Sequence, residues 1–60
     1  MIYELLVEYR ASHRRADRIV AAILDNLNDR RGIKQELQGC DNDVIKEIFE
    51  TLSDLVETTR

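Results

Sequence analysis

The chain has 60 residues and a formal net charge of −3 at pH 7. A chain this short buries only about 60% of the surface that its unfolded form exposes, so its length predicts a single domain over residues 1–60, with a core of marginal stability. One cysteine and one histidine exclude an intrachain disulfide and a closed zinc site built from soft ligands, and we expect neither a metal nor a cofactor.

The composition also gives an expectation for where the protein works. No apolar run approaches the roughly 20 residues that span a bilayer, and no signal-peptide pattern opens the chain. The single cysteine, Cys40, fits a reducing compartment. We therefore expect a soluble, cytoplasmic protein that has no membrane partner.

The first predicted element is a long amphipathic helix from about residue 3 to 30. Apolar or small side chains recur in steps of three and four residues, which is the spacing of a heptad seam, and His13 is its one polar member. A polar residue at such a position fixes register and oligomeric state. Residues 1–9 also suit a β-strand, so their conformation stays open between helix and strand. The seam residues of this helix are Leu6, Tyr9, His13, Ala16, Val20, Ile23 and Leu27.

The stretch "DRRG" (residues 29–32) predicts the end of this helix. Arg30 and Arg31 fall in the last turn, where positive charge complements the helix dipole. Gly32 follows at the position that often adopts a left-handed conformation. The next stretch, "IKQELQ", predicts one or two short helical turns that Gly39 closes.

The last predicted helix begins after Asp41, a favourable N-cap, and runs to about residue 59. It has a broad apolar face and an acidic opposite face. Its seam residues are Ile45, Ile48, Leu52 and Leu55.

Two helices joined by about ten residues pack antiparallel. The predicted fold is therefore all-α: an antiparallel helical hairpin with a short intervening helix. One hairpin leaves half of each apolar stripe exposed, and a second hairpin would cover it, because oligomerisation is one way for so small a domain to gain buried area. A homodimeric four-helix bundle is the first expectation, and a compact three-helix monomer is the alternative.

Charge is unevenly distributed along the chain. Residues 1–34 have a net charge of +2 and residues 35–60 a net charge of −5. In "YRASHRRADR", Arg10, Arg14 and Arg18 are four residues apart, so on one helix they would lie on one face and repel each other. This face is either solvated, near the acidic face of another subunit, or a binding site for an anionic partner such as nucleic acid. The candidate residues for binding an anionic partner are Arg10, Arg14, Arg15, Arg18, Arg30, Arg31 and Lys34.

No residue pattern indicates catalysis. Cys40 has no histidine near it in the sequence, and the acidic residues of the last helix are spread along a convex face rather than paired across a cleft. Phosphate-binding glycine loops, zinc-protease motifs and calcium loops are absent from the sequence. We therefore expect a protein that is not an enzyme.

Two resemblances add to this picture. Residues 16–52, "ADRIVAAILDNLNDRRGIKQELQGCDNDVIKEIFETL", are similar to small bacteriophage and prophage proteins in which a helix ending in D-R-R-G is followed by a short connector, an acidic pair and a second amphipathic helix. This resemblance implies a viral or mobile-element origin and a role in engaging a host protein.

Residues 41–52, "DNDVIKEIFETL", resemble the start of the second helix of the Rop family of plasmid-encoded RNA-binding proteins. The resemblance implies a dimeric four-helix bundle. The RNA-contacting residues of that family lie on its first helix, which has no residue-by-residue match here.

We thus expect a small interaction or regulatory protein, a homodimer that binds a host or viral protein through helical surfaces. The first alternative is a Rop-like regulator that binds RNA or DNA through the arginines of its first helix. The second is a structural component that assembles only with copies of itself.

Overall fold

A computed structural model describes residues 2–59 of the chain. These residues form four α-helices and no strand: α1 (Ile2–Arg10), α2 (Arg15–Asn28), α3 (Ile33–Gly39) and α4 (Asn42–Thr58). The predicted all-α class is therefore confirmed, and the open question about the first residues is answered as helix. Met1 and Arg60, which the predicted domain includes, lie outside the described residues.

The hydrophobic core lies between α1, α2 and α4. Phe49 of α4 is fully buried, and the ring of Tyr9 from α1 meets it edge-on, with 4.9 Å between ring centroids. Helices α2 and α4 are antiparallel, since Arg14, just before α2, contacts Glu57 at the end of α4. The buried apolar residues of the core are Ile2, Leu5, Leu6, Val20, Ala21, Leu24, Ile45 and Phe49.

The prediction of a single long helix over residues 3–30 is wrong, because the chain leaves the helical conformation between Arg10 and Arg15. Ser12 provides the physical reason. Its Oγ accepts a hydrogen bond from the backbone N–H of Arg14 (3.1 Å) and donates one to Oδ2 of Asp17 (2.6 Å). A serine that binds nearby groups in this way offers the chain an alternative to continued helix. The break lets α1 fold back and pack on α2 instead of extending it.

The break changes the predicted seam. His13 lies in it and is exposed, so its predicted place in an apolar seam, and the role in register that depended on it, are wrong. Ile23 and Leu55 are 49% and 53% exposed, so they lie outside the core of one chain, and their place in a dimer seam stays a prediction. The other predicted seam residues are buried or half-buried: Leu6, Tyr9, Ala16, Val20, Leu27, Ile45, Ile48 and Leu52.

The connection between α2 and α4 follows the prediction with one change. α2 ends at Asn28, so Arg30 and Arg31 lie beyond its last turn rather than within it. Gly32 has the expected positive φ, +90°, but it directly precedes α3, where its N–H donates to the side-chain oxygen of Gln35 (2.7 Å). Within residues 2–59, no helix has the length and apolar character needed to cross a membrane.

Candidate protein interface

Three of the four arginines around the break between α1 and α2, namely Arg10, Arg14 and Arg18, bind groups of their own chain. Arg10 Nη2 lies 3.0 Å from Asp25 Oδ2, and Arg18 Nη1 donates to the backbone oxygen of Ser12 (2.8 Å). Arg10 lies on α1, Arg14 in the break and Arg18 on α2. The prediction that these three repel each other along one helix is therefore wrong.

Arg14 joins the start of α2 to the acidic side of α4. Its Nη2 lies 2.9 Å from Glu57 Oε2 and 3.8 Å from Asp54 Oδ1. The hydrogen bond to Glu57 raises the pKa of Arg14 above its usual value. The acidic face that Arg14 contacts is thus the α4 face of its own chain rather than that of another subunit.

The other four candidate cations are exposed. Among residues 2–59 none of them forms an ion pair, although Arg30 Nε donates to the side-chain oxygen of Asn26 (3.2 Å). Arg15 begins α2, whereas Arg30, Arg31 and Lys34 follow its end. The two groups are separated by the length of α2, about 20 Å at 1.5 Å per residue. Arg15 is therefore remote from Arg30, Arg31 and Lys34 along the helix.

Asp17 of α2 makes a polar contact with α4 and with the break that precedes α2. One carboxylate oxygen accepts a hydrogen bond from Ser12 Oγ, and the other accepts one from Ser53 Oγ, which is 1% exposed on α4. Burial by itself raises the pKa of Asp17. The two serine hydrogen bonds, and then the positive charges of Arg14 and Arg18, outweigh burial and hold this pKa below its ordinary value.

An apolar surface runs along the exposed sides of α2 and α4, and we call it the α2–α4 face. Its most exposed members are Ile23 (49%), Val44 (44%) and Leu55 (53%). Two shallow grooves lie along α4: Val44, Ile48 and Leu52 line one, and Leu55 and Val56 line the next. The α2–α4 face consists of Ile19, Ile23, Val44, Ile48, Leu52 and Leu55.

This face points away from α1. Asp25 of α2 binds Arg10 of α1, and Ile23 precedes Asp25 by two residues, which is about 200° around a helix. On α4, Phe49 packs against Tyr9 of α1, and Val44 lies about 140° from Phe49. The face is therefore the side of the helix pair that α1 leaves uncovered.

Charged side chains of both signs lie near the face. Arg15 and Ile19 of α2 line one shallow pocket with Val56 and Glu57 at the end of α4. Glu47 lines the groove on α4 that contains Val44. Asp54 lies 3.8 Å from Arg14, just before α2.

Cys40 is half-buried before α4, and its Sγ donates to the backbone oxygen of Glu36 (3.2 Å). In the part of the chain that the structure describes, no three His, Cys, Asp or Glu side chains are grouped closely enough to hold a metal ion.

No protein-family model, curated protein or solved structure matches this chain. The resemblances to phage proteins and to the Rop family therefore stay predictions.

Sequence reasoning missed Ser53 and Asp17 as partners. A signal for Ser53 is present: Ile45, Phe49 and Ser53 are spaced by four residues, and all three are buried. A small hydroxyl residue in line with two core residues indicates a buried polar contact. Asp17 gives no comparable signal, because a first-turn acidic residue is also explained by the helix dipole.

Proposed function

We propose that this chain is a non-catalytic, cytoplasmic protein-binding module and that its α2–α4 face is the binding surface. The observation that carries the proposal is the row of apolar side chains along the exposed side of α4, where two shallow grooves lie, together with Ile23, which is exposed on the antiparallel helix α2. Contiguous exposed apolar surface with a polar rim is typical of protein interaction sites.

The shape of the face defines the kind of partner. Val44, Ile48 and Leu55 repeat at steps of four and seven residues, so they form a straight stripe along α4. Together with Leu52, Val44 and Ile48 line a shallow groove, a surface of the kind that an amphipathic helix binds. The partner is thus a protein with an exposed apolar helical surface, either a host or viral protein or another copy of this chain.

The nucleic-acid alternative has weaker support. Arg10 and Arg14 already pair with carboxylates and Arg18 with a backbone oxygen, while the unpaired cations lie in two groups at opposite ends of α2. Phosphate binding by several cations falls steeply with salt concentration. We expect binding to the partner to depend only weakly on salt, because apolar contacts supply most of its affinity.

Site-specific photo-crosslinking tests the proposal. A benzoylphenylalanine in place of Leu55 should crosslink a protein in a nuclease-treated bacterial lysate or in the purified protein alone. The matched control is the same group in place of Val7, which is 67% exposed on α1, away from the face. Equal crosslinking from both positions, or none from either, would contradict the proposal. Loss of a Leu55 product on nuclease treatment would favour the nucleic-acid alternative.

A further inference from the structure

We infer that α1 can leave its own chain and cover the core of a second copy, so that α1 and α2 of each chain join in one continuous helix. In this exchanged dimer, the α1 of one copy occupies the side of α2 and α4 that the other copy's own α1 covers in the monomer. The α2–α4 face is a different surface and stays exposed in the exchanged dimer. The inference therefore goes beyond the proposed function.

The first observation is the phase of the buried residues on α1 and α2. Ile2 and Val20 are 18 residues apart, and so are Leu6 and Leu24. All four are 4% exposed or less. Eighteen residues make about five whole turns of an α-helix. If the helix continued through residues 11–14, the core-facing sides of α1 and α2 would thus point in the same direction, an agreement that two separate helices of one chain do not require.

A symmetric exchange does require this agreement. Ile2 and Ile45, which is near the start of α4, line one pocket, and α2 finishes at that end of the bundle, so α1 is antiparallel to α2. In the exchanged dimer, the two continuous helices would therefore lie antiparallel along their length, with residues 11–14 of both copies near the two-fold axis. Each helix must then present its α1 part and its α2 part on one side, which the 18-residue spacing provides.

The connection between α1 and α2 contains no residue that stops a helix. Residues 11–14 include neither glycine nor proline, and none of them has a positive φ. Hydrogen bonds of Ser12 hold the bend: its Oγ binds the N–H of Arg14 and the carboxylate of Asp17, and its backbone oxygen accepts from Arg18. A continuous helix would give residues 12–15 backbone hydrogen bonds to the preceding turn. Opening the bend therefore replaces lost hydrogen bonds with new ones.

The contacts of α1 with the core re-form in the exchanged dimer. Tyr9 of one copy would pack on Phe49 of the other, as it does within the monomer. The hydrogen bond between Asp17 and Ser53 joins α2 to α4, so it stays within one chain. Only residues 11–14 change conformation. Exchange of an identical element is a low-cost route to a dimer for this reason.

A proline at the start of α2 distinguishes the two forms. Arg14 has φ −76° and ψ 125°, an extended conformation that suits the residue before a proline, and Arg15 is the first residue of α2, where proline is favoured. Arg15→Pro should therefore leave the monomer intact. Within a continuous helix the same proline removes a hydrogen bond and clashes with a backbone carbonyl, so it should raise the dissociation constant of the exchanged dimer at least about a hundredfold. Arg15→Ala is the matched control.

Sedimentation of the full chain, unfolded and then refolded at high micromolar concentration, tests the inference. We expect monomer and dimer for the parent chain and for Arg15→Ala, and monomer alone, with unchanged helix content by circular dichroism, for Arg15→Pro. Ser12→Ala removes the hydrogen bonds of the bend and adds a better helix former, so it should lower the dissociation constant about tenfold. A parent chain and a Ser12→Ala variant that both stay monomeric would overturn the inference, and so would a dimer that Arg15→Pro leaves unchanged.

Crosslinking between two variants identifies the exchanged helix. Gln38 Nε2 of α3 donates to Tyr3 Oη of α1 (3.0 Å). One chain carries Tyr3→Cys and the other Gln38→Cys, each with Cys40→Ser to remove the natural thiol. After the mixture is unfolded and refolded, a short bismaleimide should join the two chains, whereas neither variant refolded alone should give a crosslinked pair. A dimer without this crosslink would overturn the exchange in favour of docking through an outer surface.

Failure of this inference is distinguishable from failure of the proposed function, because the Leu55 crosslinker reports on the α2–α4 face. A monomeric chain whose Leu55 crosslinker captures another protein would refute only the exchange. An exchanged dimer whose Leu55 crosslinker captures nothing would refute only the proposed function. Assemblies in which each α1 passes to the next copy, and which grow beyond a dimer, would overturn the closed two-fold arrangement.

Discussion

At the scale of single residues, Asp17 joins two helices through its side chain. Its carboxylate connects Ser12, before α2, with Ser53 on α4, and its side chain is only 13% exposed. A hydrogen bond to a charged group contributes about 1.5–3 kcal/mol, and a buried hydroxyl left without its partner adds a further cost. This carboxylate therefore stabilises the packing of α2 on α4 more than any surface ion pair does.

We expect Asp17→Asn to lower the free energy of unfolding by about 2 kcal/mol in urea titrations at pH 7. The matched control is Asp25→Asn, which removes an ion pair whose side chains are 62% and 51% exposed and should cost less than about 1 kcal/mol. Equal effects of the two substitutions would contradict the central role of Asp17.

The pH dependence of stability follows from the same residue. The pKa of Asp17 is held below its ordinary value in the folded chain. Its contribution is therefore complete above the pKa of the unfolded carboxyl, about 3.9, and is lost as pH falls through the lower, folded pKa. Asp17→Asn should flatten the stability curve below about pH 4. A parent and variant that lose stability in parallel there would show that other carboxylates dominate.

At the scale of elements, the turn between α2 and α3 requires a glycine. Gly32 has φ +90°, which L side chains rarely adopt, and a Cβ built there meets no atom within 4 Å. Gly32→Ala should therefore destabilise the chain by about 1–2 kcal/mol through backbone strain alone. Gly39→Ala is the control, since Gly39 also has open space around it, has no positive φ and lies within α3. It should be neutral or stabilise by up to about 1 kcal/mol. Thermal unfolding of both variants measures the difference.

At the scale of the whole molecule, self-association through the α2–α4 face, one of the two kinds of partner proposed for it, would couple stability to concentration. Association of folded chains, but not of unfolded ones, makes the Tm rise with protein concentration. For a chain of this size we expect a rise of about 5 °C for each tenfold increase in concentration. Leu55→Glu should weaken this dependence, and a concentration-independent Tm for the parent chain would argue against dimerisation.

Sequence periodicity predicted most of the helical architecture, because the chain has no proline and its apolar residues recur at helical spacing. It failed at residues 11–14, where the step pattern of the seam continues although the helix does not. The break depends on Ser12 reaching Asp17, and periodicity contains no information about side-chain hydrogen bonds. The seam pattern consequently includes His13, which is exposed in the folded chain.

The candidate site was less predictable than the fold. The apolar residues of α4 were recognised, but which of them face α1 and which remain uncovered depends on how three helices meet. Once α1 folds back, it covers Phe49 and leaves Val44 and Leu55 exposed. The roles of the arginines likewise depend on the fold, because Glu57 and Arg14 are distant in sequence and meet only in the folded chain.

The exposed turn at Arg30 and Arg31 also has a consequence for chain continuity. It divides the chain into an N-terminal half with α1 and α2 and a C-terminal half with α3 and α4. Tyr9 of the first half packs on Phe49 of the second, and Asp17 of the first accepts a hydrogen bond from Ser53 of the second. The core is thus shared between the halves, so a peptide bond cut in this turn would leave two fragments that complement each other, held together by the same contacts that fold the intact chain.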